Sequence, residues 1–140
     1  MNKQEFEQRV MACANRPHTI ALAILCNEAD CYDAVQDALV RAWMLLDTLG
    51  QPQYFEAWLI RVLINECKRG LRTRSRRAVG EIPESYPAAS MPDPEVFDAL
   101  QKLPVQYRLP IVLHYVEGYS VAECAQMLAL PKGTIKRRMH

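Results

Sequence analysis

The chain has 140 residues, of which 50% are apolar and 24% charged, and its formal net charge is +1. That is enough apolar material for one ordinary domain or two small ones with packed cores, and it excludes a disordered or fibrous chain. No apolar run approaches the length of a membrane span, and the N-terminal MNKQEFEQRV is amphipathic and charged, unlike a signal peptide, so a soluble cytoplasmic protein without membrane insertion is expected.

The near-neutral total hides a segregation of charge. Ten of the 17 Lys and Arg residues fall in two acid-free blocks, Lys68 to Arg77 and Lys132 to Arg138, whereas the first forty residues carry six acids against three bases. Such a distribution points to separate surfaces for an anionic partner and a basic one. The five cysteines, Cys13, Cys26, Cys31, Cys67 and Cys124, are odd in number and contain no CxxC pair. Mostly at apolar helix positions, they read as buried reduced thiols of a reducing compartment, with zinc the alternative.

Apolar residues recur every three or four positions along most of the chain, and strand-like alternation is missing, so an all-α protein is expected. Phe6, Val10, Cys13 and Ala14 predict a first helix. Pro17 opens a second through Ile20, Leu22, Ile24 and Leu25. A third is expected after Asp30 as N-cap, with Val35, Leu39, Ala42, Trp43, Leu46 and Leu49 facing inward and Gly50 closing it. A fourth begins near Tyr54 and carries the stripe Phe55, Trp58, Leu59, Val62 and Leu63 before turning strongly basic beyond Glu66. These four helices form one module, residues 1–77.

Residues 78–93, with Pro83, Pro87 and Pro92 and no periodic stripe, read as a linker. At roughly 3.3 Å per residue it reaches about 50 Å when extended and averages nearer 20 Å as a coil. The second module, residues 94–140, opens with Asp93 as N-cap and Pro94 at the first helical position, and Val96, Phe97, Leu100 and Leu103 are expected to face inward. Pro104 restarts a helix through Tyr107, Ile111, Val112 and Tyr115, with a kink or break expected at Pro110. Ser120 and Glu123 form a capping box ahead of Val121, Cys124, Ala125 and Leu128. Ala129, Leu130 and Pro131 break that helix and another follows. Leu130 plugs the turn and Ile135 anchors the last helix, which leaves Lys132, Thr134, Lys136 and Arg137 outward, as in a helix-turn-helix that meets bases and phosphates.

The run KRGLRTRSRR places six positive charges in ten residues at the end of a long helix. Part of it serves the helix dipole; the excess fits a phosphate backbone. Trp43 and Trp58 read as core, while Tyr54 and Phe55, beside a Pro-containing loop, are the better candidates for an exposed ring. His18, His114 and His140 lack an acidic partner at useful spacing, and neither a Gly-rich phosphate loop nor a metal-spaced cluster occurs, so neither an enzyme nor a cofactor is expected.

The stretches DCYDAVQDALVRAW, YFEAWLIRVLINECKRGLRTRSRR and LPVQYRLPIVLHYVEGYSVAECAQMLALPKGTIKRRMH closely resemble the extracytoplasmic-function (ECF) sigma factors of bacterial RNA polymerase, over about residues 17–77 and 94–140. The resemblance implies that Asp33, Gln36 and Asp37 lie on the surface that grips a coiled coil of the largest subunit of core RNA polymerase. It implies that Gln51 to Phe55 and Asn65 read the promoter −10 element, where an unpaired base is flipped into a pocket, with Tyr54 and Phe55 beside it and Arg61, Lys68, Arg69 and Arg72 along the DNA backbone. Lys132, Thr134, Lys136 and Arg137 then match the reader of the −35 element. Cys31 and Tyr32 stand where the family more often has Ala and Glu, and Arg69 where many members have an acid. Family members usually continue past the position of His140, so a short recognition helix is expected, from a shortened chain or a weak −35 reader. An anti-sigma factor is a common family partner, and no residue here identifies one. Two alternatives stay open: a stand-alone helix-turn-helix regulator, and a truncated sigma-like competitor for core polymerase.

Overall fold

A computed structural model of the chain describes residues 1–74 and 94–139, and in this range every regular element is helical. The expected linker therefore lies outside the described residues. Asn2 opens α1 (Lys3–Ala12), its Oδ1 accepting the Glu5 N–H at 2.8 Å and satisfying one of the free donors of the first turn. α2 (Arg16–Leu25) has Pro17 in its first turn and ends at Cys26, whose left-handed backbone (φ 56°) sends its N–H back to the Leu22 carbonyl.

α3 (Glu28–Met44) starts earlier than the sequence suggests. Asn27, and not Asp30, is its cap: Asn27 is extended (φ −149°, ψ 122°) and its Oδ1 accepts the Asp30 N–H at 2.9 Å. The buried face is also rotated, to Cys31, Ala34, Ala38 and Ala42, while Val35 and Leu39 sit half-buried at its margins. Small side chains on this line let α3 lie close against α2 and α4, and the larger residues seal the edges. Trp43 is accordingly 42% exposed, lying edge-on against Phe6 with centroids 5.3 Å apart, and it covers a seam where the sequence reading put it in the core. Two 3₁₀ turns, Leu46–Leu49 and Pro52–Tyr54, flank Gly50 (φ 75°) and lead into α4 (Phe55–Arg74).

α5 (Pro94–Gln101) and α6 (Val105–Ile111) follow. Leu100 is buried, as expected, but Leu103 is exposed, and the side chains of Val96 and Phe97 lie outside the described residues. Pro110 has no N–H for the carbonyl one turn back. The helix neither breaks nor stops there; it widens into a π turn, Val112–Val116, closed by the Glu117 N–H on the Val112 carbonyl at 3.0 Å. Its inward residues are Arg108, Leu109, Val112 and Leu113, with Tyr107 and Tyr115 turned to solvent.

α7 (Val121–Leu128) carries the expected capping box, with the Glu123 N–H on Ser120 Oγ at 3.1 Å and the Ser120 N–H on Glu123 Oε1 at 3.0 Å. Ala129 takes the left-handed conformation (φ 55°), and the Leu130 N–H returns to the Ala125 carbonyl at 3.1 Å, so the turn is a Schellman motif made with Ala in the position that favours Gly. α8 (Lys132–Arg138) then starts at once, with Pro131 as its cap residue.

The two modules pack against each other, α7 lying on α4 and α5 and α6 lying on α2. One apolar cluster runs from Phe6, Ile20, Leu59 and Leu63 into Leu109, Leu113, Met127 and Ile135.

Candidate nucleic-acid interface and polymerase face

α4 is a 20-residue helix with two different sides. Leu59, Ile60, Leu63, Ile64 and Cys67 are buried, whereas Arg61, Asn65, Lys68 and Arg69 are exposed. Helical spacing puts Arg61, Asn65 and Lys68 in one outward row, with Arg69 beside it. An amide flanked by cations on a rigid helix offers hydrogen bonds to a base edge between contacts to phosphates. Arg72 continues the register on the α4 backbone, and its side chain lies outside the described residues.

The helix is held in place by a buried acid. Glu66 points inward and pairs with Arg41 of α3 and with Arg69 Nη1 at 3.5 Å. Arg41 is thereby engaged in joining α3 to α4. At the N-terminal end, Trp58 Nε1 donates to Thr48 Oγ1 at 3.0 Å and the Thr48 hydroxyl donates to the Leu45 carbonyl at 2.7 Å, fastening the first 3₁₀ turn onto α4.

The loop ahead of α4 separates its two rings. Tyr54 is 48% exposed; Phe55 is 3% exposed, with its ring against Phe6 and Trp58 at 5.8 Å each and the Arg9 guanidinium 5.9 Å above it. Arg9 Nη1 also donates to the Pro52 carbonyl at 2.9 Å, tying the loop to α1. Phe55 thus anchors the loop from inside, and a base-stacking role for it does not fit, because both faces of the ring are covered. Tyr54 is the ring offered to solvent.

On α3, Asp33, Gln36 and Asp37 are exposed on the side opposite the alanine line. The same helix also exposes Val40 and Met44 next to Trp43. This apolar patch escaped the sequence reading, which assigned Trp43 to the core; the signal available was that Val40, Trp43 and Met44 are neighbours at helical spacing off the alanine line. Exposed apolar side chains beside acids form a surface suited to a helical protein partner with basic residues.

On α8, Lys132, Lys136 and Arg137 are exposed and Ile135 is fully buried. Thr134 is half-buried, and its Oγ1 already accepts Arg137 Nη2 at 3.3 Å. Four of the five thiols, Cys13, Cys31, Cys67 and Cys124, are inert by burial. Burial pushes Cys67 up to about 12 and Cys124 up to about 11, and it raises Cys31 and Cys13 as well. Among the described residues there is no cluster of His, Cys, Asp and Glu that could hold a metal ion, and no helix is long and apolar enough to cross a membrane.

Comparison with known proteins agrees with this layout. The family described as sigma-70 region 2 matches residues 10–77, and that described as sigma-70, region 4 matches residues 95–140. Among curated relatives, the ECF RNA polymerase sigma factor SigL of Mycobacterium tuberculosis is 33% identical over 131 residues, covering 86% of this chain and 74% of the relative. SigM of the same organism is 28% identical over 142 residues, covering 98% and 72%. Among solved structures, the sigma factor RpoE in complex with the anti-sigma factor NepR from Bartonella quintana superposes with a TM-score of 0.78 at 26% identity, covering 97% of this chain and 90% of that one. CnrH in complex with the cytosolic domain of CnrY gives 0.72 at 27% identity, covering 99% and 82%. The chain belongs to the ECF RNA polymerase sigma factors, transcription-initiation factors of the sigma-70 type.

Proposed function

We propose that this chain binds core RNA polymerase through Asp33, Gln36 and Asp37, carries it to promoter DNA, and assists opening by capturing unpaired −10 bases on the outer face of α4. The observation that carries this reading is the exposed row Arg61, Asn65 and Lys68 on a helix whose opposite side is fully buried, within the segment matched as sigma-70 region 2. Tyr54, at the mouth of the preceding loop, is the stacking ring; Arg69 and Arg72 extend the cationic track. Residues 1–77 form the −10 and polymerase-binding module, residues 78–93 the linker, and residues 94–140 the −35 module, whose Lys132, Lys136 and Arg137 meet the major groove with Thr134 set deeper.

Opening in this account is driven by binding energy, and the chain performs no covalent chemistry and needs no cofactor. Extruding a base costs a few kcal/mol, and stacking of about 1–3 kcal/mol per base together with phosphate contacts offsets it. Acting on polymerase and promoters places the protein in the cytoplasm. An anti-sigma factor is a further partner of the class, supported by the two solved relatives, each described with an inhibitor or a cytosolic domain bound.

The test is to mix the purified chain with core polymerase and a promoter library and score both complex formation and transcripts. The proposal expects a stable complex and chain-dependent transcripts. Absence of a core complex refutes it, and a complex without transcripts would make the chain a competitor.

A further inference from the structure

The loop between α3 and α4 is fixed at its two ends and open between them. At the α3 end, Trp58 Nε1 donates to Thr48 Oγ1 at 3.0 Å and the Thr48 hydroxyl to the Leu45 carbonyl at 2.7 Å. At the α4 end, the Pro52 carbonyl accepts two donors, the Phe55 N–H that closes the 3₁₀ turn and Arg9 Nη1 of α1 at 2.9 Å. Gly50 and Gln51 stand exposed between these fastenings, and a Cβ at Gly50 would meet nothing within 4 Å.

Arg9 acts on two groups at once. Its guanidinium also lies 5.9 Å from the centroid of the Phe55 ring, which Phe6 and Trp58 flank at 5.8 Å each. A cation over a ring and a charged donor on a carbonyl both exceed their neutral counterparts in strength. Together they favour the arrangement in which Phe55 turns in and the adjacent Tyr54 stays 48% exposed. The opposite arrangement would carry the Tyr54 hydroxyl, a group that needs a hydrogen-bond partner, in among the Phe6 and Trp58 rings.

The helix that brings Arg9 here is itself held firmly. Asn2 caps α1, and buried Phe6 lies between Trp43 of α3 and Phe55 of the loop. Among the described residues no carboxylate lies within ion-pair distance of Arg9, so its guanidinium serves the loop and not a counter-ion. Arg9 stands ahead of residues 10–77, which match sigma-70 region 2, so this fastening comes from outside that segment.

We propose that Arg9 is a positioning residue for the −10 loop: by holding the Pro52 carbonyl and the Phe55 ring it keeps Tyr54 outward to stack on an unpaired base. This rests on the sigma reading above, in which Tyr54 is the stacking ring. A loop that is competent only part of the time binds its base more weakly in proportion to that fraction. Arg9→Met keeps a long apolar stem and loses both the donor and the charge, so capture of the base weakens about fivefold. Arg9→Lys keeps a charge and a donor for the carbonyl, and the loss is about twofold. Both substitutions fall at an exposed position and leave the fold intact.

Two measurements test this. In the free full-length chain, the Tyr54 and Phe55 amides donate to the Gln51 and Pro52 carbonyls, and their hydrogen exchange accelerates about fivefold in Arg9→Met and about twofold in Arg9→Lys. In complexes with core polymerase, an intact single-stranded −10 oligonucleotide is compared with strands made abasic at one position in turn. The captured base is the one whose removal costs the wild type affinity. Arg9→Met loses about fivefold on the intact strand and nothing on the strand lacking that base, and it adds no further loss in a Tyr54→Ala background. Equal losses on both strands would make Arg9 a phosphate contact and overturn the positioning role, as would unchanged exchange at Tyr54 and Phe55. If the wild-type complex does not distinguish the strands, the −10 reading fails, and the exchange rates still decide whether Arg9 holds the loop.

Discussion

The two proposed DNA-facing surfaces are built on opposite terms. The −10 row sits on α4, a 20-residue helix with Leu59, Ile60, Leu63, Ile64 and Cys67 buried beneath it and Glu66 paired across to α3. The −35 residues sit on α8, seven residues long, in which Ile135 is the sole buried side chain and Pro131 supplies no side-chain cap. A helix of that length has little stability of its own. The first surface is therefore rigid because of what lies under it, and the second depends on a single anchor and on the Schellman turn at Ala129.

The sharpest way to break this comparison is at the anchors. Phe55→Ala should remove about 3–5 kcal/mol, lowering the melting temperature of the whole chain, whereas Tyr54→Ala next to it should leave the melt unchanged and weaken only single-stranded −10 binding. A melt equally affected by both would mean that the loop does not separate the two rings. Ile135→Ala is expected to cost about 2–5 kcal/mol locally and to abolish the contribution of a −35 element to promoter binding while −10 binding persists. Binding curves on promoters with and without the −35 element check this.

On the protein side, Asp37→Lys should weaken core polymerase binding about tenfold, ~1.4 kcal/mol, through charge reversal at an exposed position. An unaltered affinity in a titration with core removes Asp37 from the interface. The smallest effect concerns the thiols that lie under both surfaces. Burial raises Cys67 to about 12 and Cys124 to about 11, so the stability linked to their neutral forms is fully present below the ordinary thiol value of 9.0 and is lost as pH rises through 11 to 12. A melting temperature that holds to pH 9 and declines beyond it is the expected profile, with half-buried Cys26 alkylated ahead of Cys31, Cys67 and Cys124 at pH 8 by mass spectrometry.

Local features were legible in the sequence. The Ser120 and Glu123 capping box, the break after Leu128 and the α4 stripe depend on residues a few positions apart, and the structure has them where the pattern put them. Less legible were choices between equally suitable neighbours. Asn27 and Asp30 are both good caps, and Tyr54 and Phe55 are adjacent rings beside one proline; only the tertiary contacts of Phe6 and Arg9 decide which ring turns inward. Trp43 misled because large apolar residues are assumed to fill cores, whereas here alanines do so to bring helices close. Least legible was the packing of the two modules. Nothing within a helical turn of Arg108 announces that its guanidinium will meet the Ile24 carbonyl 84 positions away.

The most direct test of the account is permanganate reactivity of −10 thymines in complexes of core polymerase with the wild-type chain and with Asn65→Ala. The account predicts strong reactivity for the wild type and its loss for Asn65→Ala at undiminished core binding; equal reactivity in both complexes would contradict it.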